Sequence, residues 1–363
     1  MKKQILSVLS WYQKIPYKIV RLLGKSNNFV NREMLAACKA SESETKEYVS
    51  YRLRPKKMEA IPVLETLEEK SKIAIVIQGP LLLSDDFTLE TAVFYKRCYP
   101  NAIVILSSWK GADEKTIEKL QISGIVVVLS DLPQKPGNLN INYQVTNTYA
   151  GIRKAKELGA EFVCKTRTDQ RLYHPNAIMH LLNLVNTFPV NNDDFTTRQK
   201  KRIVTVSMPY GDMFYPYCLS DFLYFGNTDD MLELFSIEPD SRGKGKGGKG
   251  MSRKRIAEEQ IAPEIQILRS YIATMGGNNE CTIRAYWQFV KNHIISINKN
   301  EIGLFWPKYE NRYSENTHFG YYYQIEEEKA FHCYSFDFIH WLALYNGTLI
   351  YEPEYEKYAE YVL

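Results

Sequence analysis

Residues Asn138 to Pro175, NLNINYQVTNTYAGIRKAKELGAEFVCKTRTDQRLYHP, place a helix, a stop and a buried strand in immediate succession. Val145, Tyr149, Ile152, Ala155 and Lys156 recur near a 3.6 period, which predicts a helix over 142–158. Gly159 ends it, as glycine does after a helix C-terminus. Glu161 to Lys165 then reads as a short, mostly apolar strand. It runs out into Lys165, Thr166, Arg167, Thr168, Asp169, Gln170 and Arg171, one carboxylate among three cations. In an open α/β sheet the C-terminal edge of the strands is where ligands bind.

The residues before this stretch repeat its logic. Ile73 to Ile77 is a continuous apolar run, the pattern of a strand covered on both faces. It ends in Gln78-Gly79-Pro80, where glycine serves either a plain turn or close backbone approach to a ligand. A helix over 87–99, a strand over 102–106, a helix over 113–123 and a strand over 125–129 follow. This alternation predicts a mostly parallel sheet. Asp131 then shares an edge with Gln78 and Asp169. Asn142, Gln144 and Asn147 open the next helix. Asn142 reads as its cap, and the N–H groups there also suit a phosphate.

After Pro175 the pattern predicts a helix over 176–186, a strand over 203–207 and a strand over 220–225. Residues 208–218 form an aromatic loop, and another helix starts at Thr228. A helix over 256–275 contains Pro263, which suits a fresh start at Ala262. Ile294 to Ile297 reads as a short edge strand. An aromatic tail follows, with Lys308 and Arg312 as phosphate contacts and a docking helix over 331–345. Three parts result: a helical extension and linker over 1–70, an α/β body over 71–310, and a tail over 311–363 packing on it.

Composition narrows the function. The net charge of +4 is concentrated in 241–255, which holds seven cations and no acid. Without them the remainder is net acidic, so nucleic acid is excluded as the general partner. The Gly/Lys alternation there predicts a mobile loop. Its functional readings are a lid or a tether to anionic lipid. The six cysteines are widely spaced, which fits a reducing compartment rather than zinc or a disulfide frame. No run approaches the roughly 20 apolar residues of a membrane span. The N-terminal 25 residues read as an amphipathic helix pair, packed on the body or lying on a lipid surface. The expected location is cytoplasmic, with peripheral contact at the inner face of an anionic membrane as the further option.

The segments IAIVIQGP, NINYQ, KTRTDQR and APEIQILRSYI resemble the WavE family of lipopolysaccharide and surface-polysaccharide synthesis proteins, over roughly Lys72 to Trp306. The resemblance implies a GT-A-like, Rossmann-type sheet flanked by helices, and a glycosyltransferase working on a nucleotide-sugar donor and a glycan or lipid-linked acceptor. It implies a carboxylate near the donor sugar at Asp221 and a base at Glu264, with Glu258 and Glu259 as rivals. Where such folds carry Asp-x-Asp, this chain has Arg167-Thr168-Asp169. The metal question therefore stays open between Mg²⁺ or Mn²⁺ held by Asp169 and a metal-independent mechanism in which cations replace it.

Glycosyl transfer needs neutralisation of the leaving diphosphate, a base for the acceptor hydroxyl, and alignment of both substrates. Lys165, Arg167 and Arg171 suit the first need and Glu264 the second. Gln78, Gly79, Pro80 and Asp131 would hold the nucleoside, and Asn142, Gln144, Thr168 and Asp169 the rest of the donor. Two other readings stay open: a sugar nucleotidyltransferase, and a non-catalytic membrane-associated component of a polysaccharide-synthesis complex.

Overall fold

The structure is a computed structural model and describes residues 18, 26–44, 49, 51, 53–63, 71–207, 212–243, 245, 247–307 and 334–362. The N-terminal helix pair before residue 18, Lys244, Lys246, Lys308, Arg312, His332 and the start of the aromatic loop lie outside them. The chain forms two compact units, 1–55 and 56–363. In the first, a helix runs over Ser26–Glu44 (α1).

In the second, seven strands make one sheet: β1 (Ile73–Gln78), β2 (Ile103–Trp109), β3 (Val126–Ser130), β4 (Phe162–Arg167), β6 (Ile203–Val206), β7 (Tyr224–Asn227) and β8 (Ile294–Ile297). Their order is β3-β2-β1-β4-β7-β6-β8, and β7 alone runs against its neighbours. A second, two-stranded sheet pairs β5 (Arg171–Leu172) with β9 (Leu304–Phe305). This is the mostly parallel, helix-flanked sheet that the resemblance implied.

β1, β2 and β3 are each followed by a helix: α2 (Phe87–Cys98), α3 (Glu114–Ile122) and α4 (Ile141–Glu157). Every residue of β1 is buried, which is why its sequence is apolar without alternation. α4 lies directly on β1 and β2. A Cβ at Gly151 would collide with Val76 and Ser107, so only glycine admits that approach. Ser107 Oγ ties the layers by donating to the Asn147 carbonyl at 2.6 Å.

The other half adds α5 (Ala177–Thr187), α6 (Thr228–Phe235), α7 (Arg253–Glu258), α8 (Pro263–Met275), α9 (Ile283–His293), α10 (Phe338–Tyr345) and α11 (Glu356–Ala359). The helical stretch read over 256–275 is two helices, and the second starts at Pro263 with Ala262 as its cap, where the proline placed it. β8 is an edge strand, yet all four of its residues are buried. α10 covers it, and Trp341 Nε1 donates to the Ile294 carbonyl at 2.7 Å. Covering an exposed strand edge prevents pairing with another chain.

Two expectations need correction. The strand expected over 220–225 begins at Tyr224, because Ser220 and Asp221 spend their carbonyls on side chains of other strands. Nor does the Lys/Gly stretch stand clear of the body at its ends. Arg253 is buried, between the rings of Tyr215 and Tyr361. Arg242 is clamped by Asp240, the carbonyls of Glu259 and Gln260, and Gln266. Among the described residues no helix is long and apolar enough to cross a membrane.

Candidate active site

The C-terminal ends of β1 and β4 and the N-terminal end of β7 meet at one sheet edge. Lys165 and Arg167 are two residues apart on β4 and so share a face. Lys165 stands opposite Tyr224 of β7, Tyr224 opposite Thr205 of β6, and Thr205 opposite Ser296 of β8. These four side chains form a polar row with no exposure. Two of them reach up to the segment that crosses the sheet edge. Thr205 Oγ1 donates to the Ser220 carbonyl at 2.6 Å, and Lys165 Nζ donates to the Asp221 carbonyl at 2.6 Å. From α4, Gln144 Nε2 donates to Asp221 Oδ2, again at 2.6 Å.

Burial brings the Lys165 ammonium down to about 8, with Asp221 and Asp169 opposing and Arg167 assisting. The Tyr224 phenol is pushed well above its ordinary value, first by burial and then by the charges of Asp221 and Glu264. Glu264 sits in the first turn of α8 and accepts from Cys218 Sγ at 3.6 Å. Pro263 at the helix start and Gly276 at its end fit the capping rules that make this turn a fixed platform.

Arg167 and Asp169 form a forked ion pair, Nε to Oδ1 at 2.9 Å and Nη2 to Oδ2 at 3.2 Å. Trp306 completes it. Its Nε1 donates to Asp169 Oδ2 at 3.0 Å, and the Arg167 guanidinium stands 4.7 Å from its ring centroid. Phe222 meets the same ring edge-on at 4.7 Å. Sequence reasoning passed over Trp306, Phe222 and Tyr224. The β5–β9 pairing brings Trp306 beside Asp169, and a pairing of two-residue strands so far apart leaves no signal in either one.

The remaining expected residues are placed as follows. Gly79 has φ +124°, and a Cβ there would stand 2.9 Å from Thr168 Oγ1. Thr168 donates to the Pro80 carbonyl at 2.6 Å, so the turn after β1 and the turn after β4 are stitched together. Gln78 is buried, and its Oε1 has no hydrogen-bond partner among the described residues. Asp131 lies at the far end of the edge, exposed and paired with Lys110 at 2.7 Å. Asn142 is not the helix cap; Asn140 holds that position. The Asn142 carboxamide instead binds the Lys135 and Asp240 carbonyls and the Asp240 N–H. Arg171 is buried on Phe87, donating to Thr91 Oγ1 and the Phe87 carbonyl, and so faces the core rather than the edge.

A divalent cation needs several oxygen ligands open to it. Both Asp169 oxygens are engaged by Arg167 and Trp306, and among the described residues no three His, Cys, Asp or Glu side chains converge. These residues, as placed, do not fit a protein-held metal. A separate cleft of about 530 Å³ lies between α2, α3 and residues 58–59. Its Glu90 and Arg97 are already spent on Lys57 and on the carbonyls of Met58 and Ile61.

Among solved structures, the chain is similar to glucosyl-3-phosphoglycerate synthase from Mycobacterium tuberculosis with Mn²⁺ and UDP-glucose. Identity is 15%, over 63% of this chain and 69% of that one, with a TM-score of 0.34. It is also similar to a putative glucose-1-phosphate thymidylyltransferase from Bacillus anthracis in complex with a sucrose, at 9% identity, 48% and 79% coverage and a TM-score of 0.30. No curated protein matches the sequence. The profile for WavE lipopolysaccharide synthesis matches residues 73–363, and the chain belongs to that family.

Proposed function

We propose that this chain is a glycosyltransferase that moves a sugar from a nucleotide-sugar donor to a hydroxyl of a lipopolysaccharide or related surface glycan. The observation that carries this reading is the charged cluster at the end of β4, where Arg167 is held flat by Asp169 and Trp306 and Asp221 is held by Gln144 and Lys165. In this reading Arg167 meets the leaving diphosphate, with Asp169 and Trp306 fixing the plane of its guanidinium. Asp221 accepts hydrogen bonds from the donor sugar, and Glu264 takes the acceptor proton. The turn Gln78–Pro80 and Asp131 bracket the nucleoside. No step is routed through a metal.

The test is thermal unfolding against UDP-, GDP-, CMP- and dTDP-sugars, followed by a transfer assay on the class that binds. Ligand at ~100 Kd should stabilise by about 2.7 kcal/mol. Glu264→Gln should keep that response and lose transfer by about 10²–10⁴-fold, the usual worth of a general base. Transfer persisting in Glu264→Gln would remove Glu264 from the role. No response to any nucleotide sugar would sink the enzymatic reading and favour a non-catalytic component of a polysaccharide-synthesis complex.

A further inference from the structure

Two side chains that chemistry alone would assign to the donor are committed to Asp221. Lys165 has the charge for a diphosphate, but it has no exposure and its Nζ ends 2.6 Å from the Asp221 carbonyl. An anion could reach it only by entering the core. Gln144 is also buried, with its Nε2 2.6 Å from Asp221 Oδ2. Thr205 holds the preceding carbonyl, and Phe222 N–H donates to Ser220 Oγ at 3.1 Å. The backbone and the carboxylate of Asp221 are thus held by separate groups from two elements, and a third holds the residue before it. Holding both is more than chain continuity requires; it fixes where a carboxylate points. Gln144 occupies one of the roughly four lone-pair sites of that carboxylate.

We propose that Gln144 and Lys165 are positioning residues that fix Asp221 for reading the hydroxyl pattern of the donor sugar. This rests on the glycosyl-transfer reading. Gln144 acts on the carboxylate and Lys165 on the backbone beneath it. The charged and titratable groups around Lys165 are Asp221, Arg167, Asp169 and Cys164, with the Tyr224 ring 5.9 Å away. A preorganised acceptor of this kind separates sugars by the hydroxyls they offer, since a hydroxyl it is built to hold leaves it unpaired when missing. Asp221 would then set sugar specificity, while the nucleotide is held elsewhere along the edge.

The experiment compares affinity for a nucleotide sugar with affinity for the free nucleoside diphosphate, in wild type, Gln144→Ala, Asp221→Asn, the double variant and Lys165→Met. Gln144→Ala and Asp221→Asn should each weaken the nucleotide sugar by about tenfold. Both should leave the free diphosphate within about twofold. The double variant should bind no worse than Asp221→Asn, because Gln144 works through that carboxylate. Losses that multiply, or diphosphate affinity falling in parallel, overturn the proposal. If Lys165→Met fails to fold, the Gln144 series decides alone. If wild type binds no nucleotide, the transfer reading falls first. A thermal-unfolding cycle then follows on Gln144→Ala and Asp221→Asn, and coupling found there without any ligand response assigns the pair to structure alone, which also overturns positioning.

Discussion

Lys165 shows how a residue's chemistry is decided by its neighbours. On an exposed strand end it would be an ordinary ammonium. Here burial draws it from 10.5 to about 8. The sign of the consequence follows from proton counting. Between those values the unfolded chain holds a proton that the folded chain has released, so stability rises with pH across that window. The rise should be on the order of 2–3 kcal/mol and absent in Lys165→Met, read as denaturant midpoints from pH 7.5 to 10.5. The slope is the readout, because the substitution also removes the tie to Asp221. Asp169 makes the companion case. Because its oxygens face Arg167 and Trp306, chelation with EDTA should leave the donor-induced midpoint shift unchanged, whereas Arg167→Ala should abolish most of it. A shift lost to EDTA and restored by Mn²⁺ would put a metal back into the mechanism.

Among the elements, α4 and α10 shape the body most. α4 must lie close on β1 and β2 for Gln144 to reach Asp221, and Gly151 sets that closeness. Gly151→Ala forces a methyl onto Val76 and Ser107 and should cost about 1–3 kcal/mol by overpacking. It should also weaken nucleotide-sugar affinity, since lifting α4 lengthens the Gln144 contact; unfolding and binding measured on one preparation check both. α10 works at the opposite margin of the sheet. Trp341 is fully buried against β8 and Phe188, and the Arg202 guanidinium stands near its ring and that of Tyr345. Trp341→Ala should cost about 3–5 kcal/mol in denaturant unfolding. It should leave donor affinity in the surviving folded fraction unchanged.

In the molecule as a whole, the compact body starts at Lys56, and residues 56–63 are part of its packing. Met58 is buried, and Arg97 spends its guanidinium on the carbonyls of Met58 and Ile61 at 2.5 and 2.9 Å. A chain beginning at Lys56 should keep the thermal midpoint of the body. One beginning at Ser71 should lose on the order of 2–5 kcal/mol, the worth of a buried methionine, with an unpaired guanidinium added. Equal midpoints for the two chains would show that this segment adds nothing to the body.

Local pattern alone determined much of this protein. Continuous apolar runs marked β1 and β4, period 3.6 marked α4, and Pro263 marked the start of α8. These signals are legible because each depends on neighbours within one turn or one strand. The same pattern put Gln78, Asp131 and Asp169 on one edge, since strand alternation fixes the direction in which each strand ends, while Asp221 and Glu264 came from the family resemblance. Tertiary structure decided what those residues do there. Asn142 looked like a cap and instead bolts down residue 240, because the loop's carbonyls needed a donor. Lys165 and Gln144 looked like ligands of the donor and are bonded to Asp221, because pairing β4 with β7 buries one and α4 carries the other across. Trp306 seals Asp169 from 137 residues away. Contacts of that span come from strand order and helix placement, which no window of sequence contains.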